Sequence, residues 1–168
     1  RILKLTRSTT NASIYTAAVI AGGNGNDSGL WTMPAEGPGP EVWVYPDVGG
    51  IVTDSVGNVY FSNAQTIRKI SFDSDGKTTR VSTLAGVGSI TSTYAYDLDG
   101  LGRAARFMFS PALTIDKENN LYVRGNGTVR RVRTIAPFEV KTLIGGINHS
   151  QHGAPMDPTH VNGSGSSA

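Results

Sequence analysis

Cysteine is absent from the sequence, and with it any disulfide framework, thiolate metal site or thiolate nucleophile. Charge is sparse: Asp, Glu, Lys and Arg make up 17% of the 168 residues, too little for a solvated disordered tail. Nor does the sequence carry the patterning of a long helix or coiled coil. The longest unbroken apolar stretch, around Ala17 to Ala21, falls far short of the ~18–20 residues that cross a bilayer, so no membrane insertion is expected. Net charge is only +2, too small a surplus to imply nucleic acid unless it clusters on one face. No initiator Met, basic n-region or apolar h-region stands at the start, so any signal peptide lies outside these residues.

What the chain does contain is an internal repeat, and a repeat decides the architecture before any local structure does. Gly50-Ile51-Val52-Thr53-Asp54, Gly57-Asn58-Val59-Tyr60-Phe61 and Thr66-Ile67-Arg68-Lys69-Ile70 return as Ala112-Leu113-Thr114-Ile115-Asp116, Asn119-Asn120-Leu121-Tyr122-Val123 and Thr128-Val129-Arg130-Arg131-Val132. Each copy closes with an apolar strand and a glycine, Val81 to Gly86 and then Val140 to Gly145. A partial copy opens the chain, with Ile2-Leu3-Lys4-Leu5 as the third element and Ala18-Val19-Ile20-Ala21-Gly22 as the fourth. The connectors repeat too: Glu36-Gly37-Pro38-Gly39, Asp99-Gly100-Leu101-Gly102 and Asn162-Gly163-Ser164-Gly165 are spaced 63 residues apart.

Elements this short, rich in Val, Ile, Thr, Tyr and Phe and bounded by turn residues, are strands. The segments 54–58 and 116–120 read as tight turns, and Asp73 to Lys77 as a hairpin whose Asp-Gly supplies the positive backbone angles of a two-residue loop. Four antiparallel strands per unit, repeated radially, make a blade of a β-propeller. The expected fold class is therefore all-β, a propeller of four-stranded antiparallel blades that is incomplete in this segment. Residues 1–22 form the second half of a blade, 23–47 a connector, 48–86 a complete blade, 87–109 a connector, 110–146 a second complete blade and 147–168 a connector onward.

These residues resemble the NHL-repeat β-propeller family. The resemblance lies in 50–70 with 81–86, in 113–132 with 140–146, and above all in the linker Asp99-Gly100-Leu101-Gly102-Arg103-Ala104-Ala105-Arg106-Phe107-Met108-Phe109-Ser110-Pro111, together covering most of residues 48–146. The first linker departs from it by carrying Glu41 and Val42 where the second has Ala104 and Ala105. The resemblance implies a ring whose first strands line a central channel. A closed ring needs about 4–8 blades and 168 residues supply about 2.7, so the segment is expected to be a window from a longer polypeptide or from a larger assembly.

Five Asn-x-Ser/Thr sequons, at Asn11, Asn26, Asn126, Asn148 and Asn162, are candidate N-glycosylation sites. Four fall in expected loops or hairpin turns and Asn126 in the short second-to-third strand turn, all places from which a glycan can project. They point to an extracellular or cell-surface location, against a cytoplasmic reading in which Asn-Gly and Asn-Asp only form turns. Asp97 and Asp99, like Asp73 and Asp75, place two carboxylates before a glycine as calcium loops do, but without the bidentate Glu of an EF-hand. The competing reading is a plain turn, and no cofactor other than calcium is suggested. Asp54 and Asp116 recur at a strand end, either as a ring at the channel mouth or as caps of their own turns.

Arg124, Arg130, Arg131 and Arg133, with Arg68 and Lys69, could form a phosphate-binding stripe, yet neighbours on a strand point to opposite faces. Tyr60, Phe61 and Tyr122 read as packing residues. His149, His152 and His160 all lie in the last connector and lack a third zinc ligand of fixed geometry, and no Ser-His-Asp spacing is recognisable. Trp31, Trp43 and Tyr45 are the candidates for a protein contact, or else cover an edge between blades. The expected function is a non-catalytic protein-interaction or structural module of a larger extracellular glycoprotein. Its partners would be other proteins or the remaining blades, nucleic acid being unexpected. The alternatives are an RNA-binding NHL propeller and part of a metal-dependent propeller lyase.

Overall fold

The computed structural model describes residues 1–23, 36–87, 97–108, 112–125 and 127–145, and these are all-β, with antiparallel pairing throughout. Among the described residues no helix is long and apolar enough to cross a membrane. Strands β1 (Ile2–Arg7) and β2 (Tyr15–Ala21) form a hairpin. The first full unit consists of β3 (Gly37–Pro38), β4 (Val48–Thr53), β5 (Val59–Asn63), β6 (Thr66–Phe72) and β7 (Thr79–Gly86), in the sheet order β3-β7-β6-β5-β4. The second repeats it with β8 (Gly100–Leu101), β9 (Leu113–Ile115), β10 (Leu121–Arg124), β11 (Val129–Val132) and β12 (Glu139–Ile144), in the order β8-β12-β11-β10-β9.

Each unit thus has one strand more than the four expected. The extra strand comes from the connector: Gly37 and Pro38 pair with Val81 and Arg80, and Gly100 and Leu101 with Val140 and Glu139. The described parts of the two connectors, residues 36–47 and 97–108, are therefore anchored to the sheets they lead into. A single-turn 3₁₀ segment follows in both, Gly39–Glu41 and Gly102–Ala104, 63 residues apart. Glu41 and Val42 replace Ala104 and Ala105 without altering this turn, because it is closed by backbone groups, Val42 N–H to Gly39 O in one and Ala105 N–H to Gly102 O in the other.

Register ties the three units together. The pairing of third with fourth strand slips by one residue between Ile2 and Leu3, between Ile67 and Arg68, and between Val129 and Arg130. A bulge of this kind bends the strand and strengthens its twist. Its recurrence makes Ile2, Ile67 and Val129 one structural position, and identifies β1–β2 as the third and fourth strands of a unit.

Side-chain alternation then divides each sheet's residues between two cores. Val59, Phe61, Ile70 and Val81 pack toward the hairpin, onto Ile2, Ile20, Ala21 and Val42. On the opposite face Tyr60, Ile67, Leu84 and Ala85 pack toward the second sheet, onto Leu121, Val123, Val132 and Val140, with Ala105 and Phe107 of the connector between them. Consecutive Val59-Tyr60-Phe61 is buried because the sheet is covered on both faces. First strands β4 and β9 also touch, and Gly50 permits it: a Cβ there would stand 2.8 Å from the Leu113 backbone nitrogen.

The glycine closing each fourth strand has a positive φ, 84° at Gly22, 93° at Gly86 and 80° at Gly145. A Cβ on Gly86 would collide with the Gln65 carbonyl oxygen, so strain and steric overlap act together. Gly86→Ala is expected to destabilise the chain by about 2 kcal/mol or more, measured as a lower urea midpoint at unchanged m.

Candidate functional site: the arginine clasps between units

Arginine at the residue after the bulge lies on a strand covered on both faces, so its charge has to be met inside the fold. Arg130 is fully buried and the preceding connector wraps around it. Its Nη1 donates to the Arg106 carbonyl at 2.7 Å, its Nη2 to the Leu98 carbonyl, and its Nε to Asp99 Oδ1 at 3.1 Å. Asp97 Oδ1 lies 3.6 Å from Nη1, and the Phe107 ring centroid is 4.8 Å from the guanidinium carbon. Both carboxylates are also tied to backbone, Asp97 to Met108 N–H at 3.0 Å and Asp99 to Thr142 N–H at 2.7 Å. The planar fork of five donors suits such a cage of carbonyls and carboxylates.

Arg68 occupies the same position in the first unit and is equally inward-facing, at 3% exposure. Its Nη1 donates to the Trp43 carbonyl at 2.6 Å and to Asn63 Oδ1 at 3.3 Å, while its guanidinium carbon stands 5.3 Å from the Phe61 ring centroid. Trp43 and Arg106, the two carbonyl acceptors, are 63 residues apart. Burial lowers the Arg68 pKa to about 10, with Glu36 and Tyr45 opposing the shift.

Glu36 is the first-connector counterpart of Asp99. Its Oε1 accepts the Thr83 N–H at 2.7 Å and pairs with Arg103 of the second connector at 2.5 Å. Burial raises its pKa, but the Thr83 hydrogen bonds and the Arg103 charge outweigh that and hold it below the ordinary carboxylate value. Successive connectors are thereby joined across the edge of β7.

The candidate contact residues Trp43 and Tyr45 belong to this clasp. They meet edge to face at 5.9 Å, and Tyr45 N–H donates to Asn63 Oδ1 at 3.0 Å while Asn63 Nδ2 donates to the Tyr45 and Asp47 carbonyls. Both rings are half-buried over the first sheet, which fits the reading that they cover an edge between units. Trp31 lies outside the described residues.

Of the four aspartates weighed for calcium, Asp75, Asp97 and Asp99 have protein partners for their carboxylates, while Asp73 is held through its backbone. Asp97 and Asp99 hold Arg130. In the other pair, Asp73 closes the β6–β7 connection, its N–H donating to Thr78 O at 3.0 Å, and Asp75 accepts the Thr78 hydroxyl at 2.6 Å and the Lys77 and Thr78 N–H groups at 2.8 Å. These bonds take the Asp75 pKa down to about 2. The loop is longer than the two residues expected, since β6 ends at Phe72 and β7 starts at Thr79. The physical reason is this side-chain cap, with Gly76 at φ 65°. Among the described residues no group of three or more His, Asp or Glu side chains is placed to hold a metal ion.

Asp54 and Asp116 cap their own turns in matching fashion. Asp54 Oδ1 accepts the Asn58 N–H at 2.8 Å, and its Oδ2 accepts Asn58 Nδ2 at 2.7 Å and the Tyr60 hydroxyl at 3.0 Å. Asp116 does the same with Asn120 and Tyr122, at 2.7, 2.9 and 2.9 Å. For both, burial raises the pKa but these hydrogen bonds outweigh it, leaving the pKa depressed. Burial and the bond to Asp54 push Tyr60 up to about 12, against a hydrogen bond from Thr134 of the next unit.

Asn11 lies exposed at the tip of the β1–β2 hairpin, its Oδ1 accepting the Ser13 N–H at 3.0 Å. Asn26, Asn126, Asn148 and Asn162 lie outside the described residues, as do the three histidines. Arg131 pairs with Glu139 at 3.2 Å. The residues that sequence reasoning did not single out as a site are Glu36, Arg103 and the Trp43 and Arg106 carbonyls. The 63-residue spacing of the connectors was the signal for them. Set against known proteins, the chain matches no family model and no curated protein.

Two outcomes are expected. Arg130→Lys does not restore the cage, because one ammonium cannot reach three separated acceptors; it and Arg130→Ala each lose about 3–5 kcal/mol in equilibrium unfolding. Asp54 and Asp116 have depressed folded-state pKa values, so the stability they add is complete above the unfolded carboxylate pKa of about 3.9 and is lost as pH falls through the folded values. An acid titration below about pH 4 should be visibly flatter for the Asp54→Asn, Asp116→Asn double variant.

Proposed function

We propose that this chain is part of an NHL-like β-propeller and works as a non-catalytic interaction or structural module of a secreted or cell-surface glycoprotein. The observation that carries the reading is the unit itself: a third-to-fourth strand pairing with the same bulge three times, and a connector that is built into the sheet it precedes. Units that each contact only their neighbours stack into a rigid scaffold, and scaffolds of that kind present loops to partners. The recurring polar residues support a structural use. Arg68, Arg130, Asp97, Asp99, Asp54 and Asp116 all spend their hydrogen bonds within the fold. Two of the arginines in the supposed phosphate-binding stripe point inward, which favours protein contacts over RNA.

The extracellular part of the proposal rests on the sequons, and Asn11 gives it a structural footing, at an exposed hairpin tip with its amide side chain in an Asx turn. Expression through a secretory pathway is expected to yield Asn11-linked glycan in intact-glycopeptide mass spectrometry, lost in Asn11→Gln. Native material with all five asparagines unmodified would count against an extracellular location. Salt-sensitive binding of single-stranded RNA by the chain would count against the protein-contact reading.

A further inference from the structure

Two of the five sequons have their hydroxyl residue among the described residues, Ser13 for Asn11 and Thr128 for Asn126, and the fold treats the two hydroxyls in opposite ways. Glycan transfer needs the asparagine nitrogen and also the hydroxyl two residues on, by which the sequon is recognised. Asn11, Ala12 and Ser13 are all exposed at the β1–β2 tip. Other groups hold that tip: Arg7 Nε donates to Ala12 O at 3.0 Å, Ile14 N–H to Asn11 O at 3.1 Å, and the Thr10 and Asn11 N–H groups to Ser8 Oγ at 3.2 Å. Among the described residues neither Asn11 Nδ2 nor the Ser13 hydroxyl is hydrogen-bonded. The corresponding tip of the first full unit, 73–78, is exposed as well, so this exposure belongs to the hairpin's place in a unit.

Thr128 is 4% exposed, and its hydroxyl donates to Asp97 Oδ2 at 3.4 Å. Backbone closes over it from two sides. A Cβ on Gly125 would collide with the hydroxyl and with Asp97 Oδ2, and one on Gly145 would stand 3.2 Å from the Thr128 Cα. The fold calls for this threonine with or without a glycan. Its counterpart Thr66 is also 4% exposed and donates to Asn63 O at 2.7 Å, with Ala64 where the second unit has Asn126. In both units a buried threonine hydroxyl fastens the start of the third strand, to the strand end in one and to the connector in the other. The threonine of the Asn126 sequon is therefore a structural residue of the unit.

We propose that Asn11 accepts an N-linked glycan on the folded chain, and that Asn126, which lies outside the described residues, accepts one only before the second unit has folded. The donor is an oligosaccharide carried on a polyprenyl pyrophosphate. In the transfer a bond forms between the asparagine Nδ2 and sugar C1, and the bond from C1 to the pyrophosphate oxygen breaks. The polyprenyl pyrophosphate leaves, and the amide proton passes to a base on the transferase. Once Thr128 is enclosed its hydroxyl is out of the transferase's reach, and its partner Asp97 also faces the buried Arg130. Glycosylation at Asn126 and folding of the second unit thus compete, whereas glycosylation at Asn11 and folding do not. For its biological setting the inference rests on the extracellular reading given above.

The test offers the folded, unglycosylated full chain to a purified oligosaccharyltransferase with its lipid-linked donor, beside synthetic peptides of residues 8–16 and 123–131 as unfolded references. Occupancy is followed over time by intact-glycopeptide mass spectrometry. In the folded chain Asn11 is expected to react within about threefold of its peptide rate and Asn126 at least about tenfold below its own, because access to Thr128 waits on local opening. Asn126 reacting as fast in the folded chain as in its peptide overturns the proposal. So does a folded chain unmodified at Asn11, or either peptide left unmodified. The rates are measured outside the cell, so their outcome is independent of the extracellular reading, which glycopeptides of native material decide.

Discussion

A guanidinium with no exposure to water has to find all of its solvation in the protein, and that requirement organises the space between the two full sheets. Arg130 projects from the middle of a strand into a layer where its neighbours are Val132, Val140 and Leu121. Only backbone carbonyls and short carboxylates can approach it there, and the connector supplies both. The path of residues 97–107 is thereby determined, and with it the placement of Ala105 and Phe107 as the apolar filling between sheets. Replacing the charge with an apolar residue of similar volume would remove the need for the cage and, with it, the reason for the connector to run where it does.

The same device operates in the first unit with different side chains. Carbonyl 43 takes the place of carbonyl 106 at nearly the same distance, and Asn63 contributes a neutral amide oxygen. Since the accepting groups are largely backbone, the connectors are free to differ in sequence, as Trp43 against Arg106 and Val42 against Ala105 do, while docking alike. The acidic residue of the Gly-x-Gly motif is the exception, since Glu36 and Asp99 both accept from the threonine of the fourth strand, Thr83 and Thr142.

Most of the strand content was legible from the residues, because alternation, turn signals and the 62–63-residue spacing all agreed on it. Val59–Asn63, Thr66–Phe72 and Val129–Val132 sit where the pattern places them. The fifth strand was not legible: two residues such as Gly37 and Pro38 have no strand propensity, and their pairing with β7 follows from where the connector is anchored. The arginine cage was half legible. Spacing revealed that Arg68 and Arg130 correspond, yet a charged residue in an amphipathic strand reads as solvent-facing until both faces of the sheet are known to be covered. The Asp97 and Asp99 pair illustrates the converse. A carboxylate doublet before glycine suits a cation, and whether the cation is a metal or a neighbouring guanidinium is decided by tertiary contacts alone.

The placement of the connector strand has a mechanical consequence. The chain is stitched to the outer edge of a sheet through β8 before it crosses to β9 at the opposite edge. Tension along the polypeptide between units would first have to peel the β8–β12 bonds and draw the connector off a buried guanidinium. Only then would load reach the long strands. Each unit is in this sense fitted with a strain-relief loop at its margin, so that a pull between neighbours is absorbed where the sheet is narrowest.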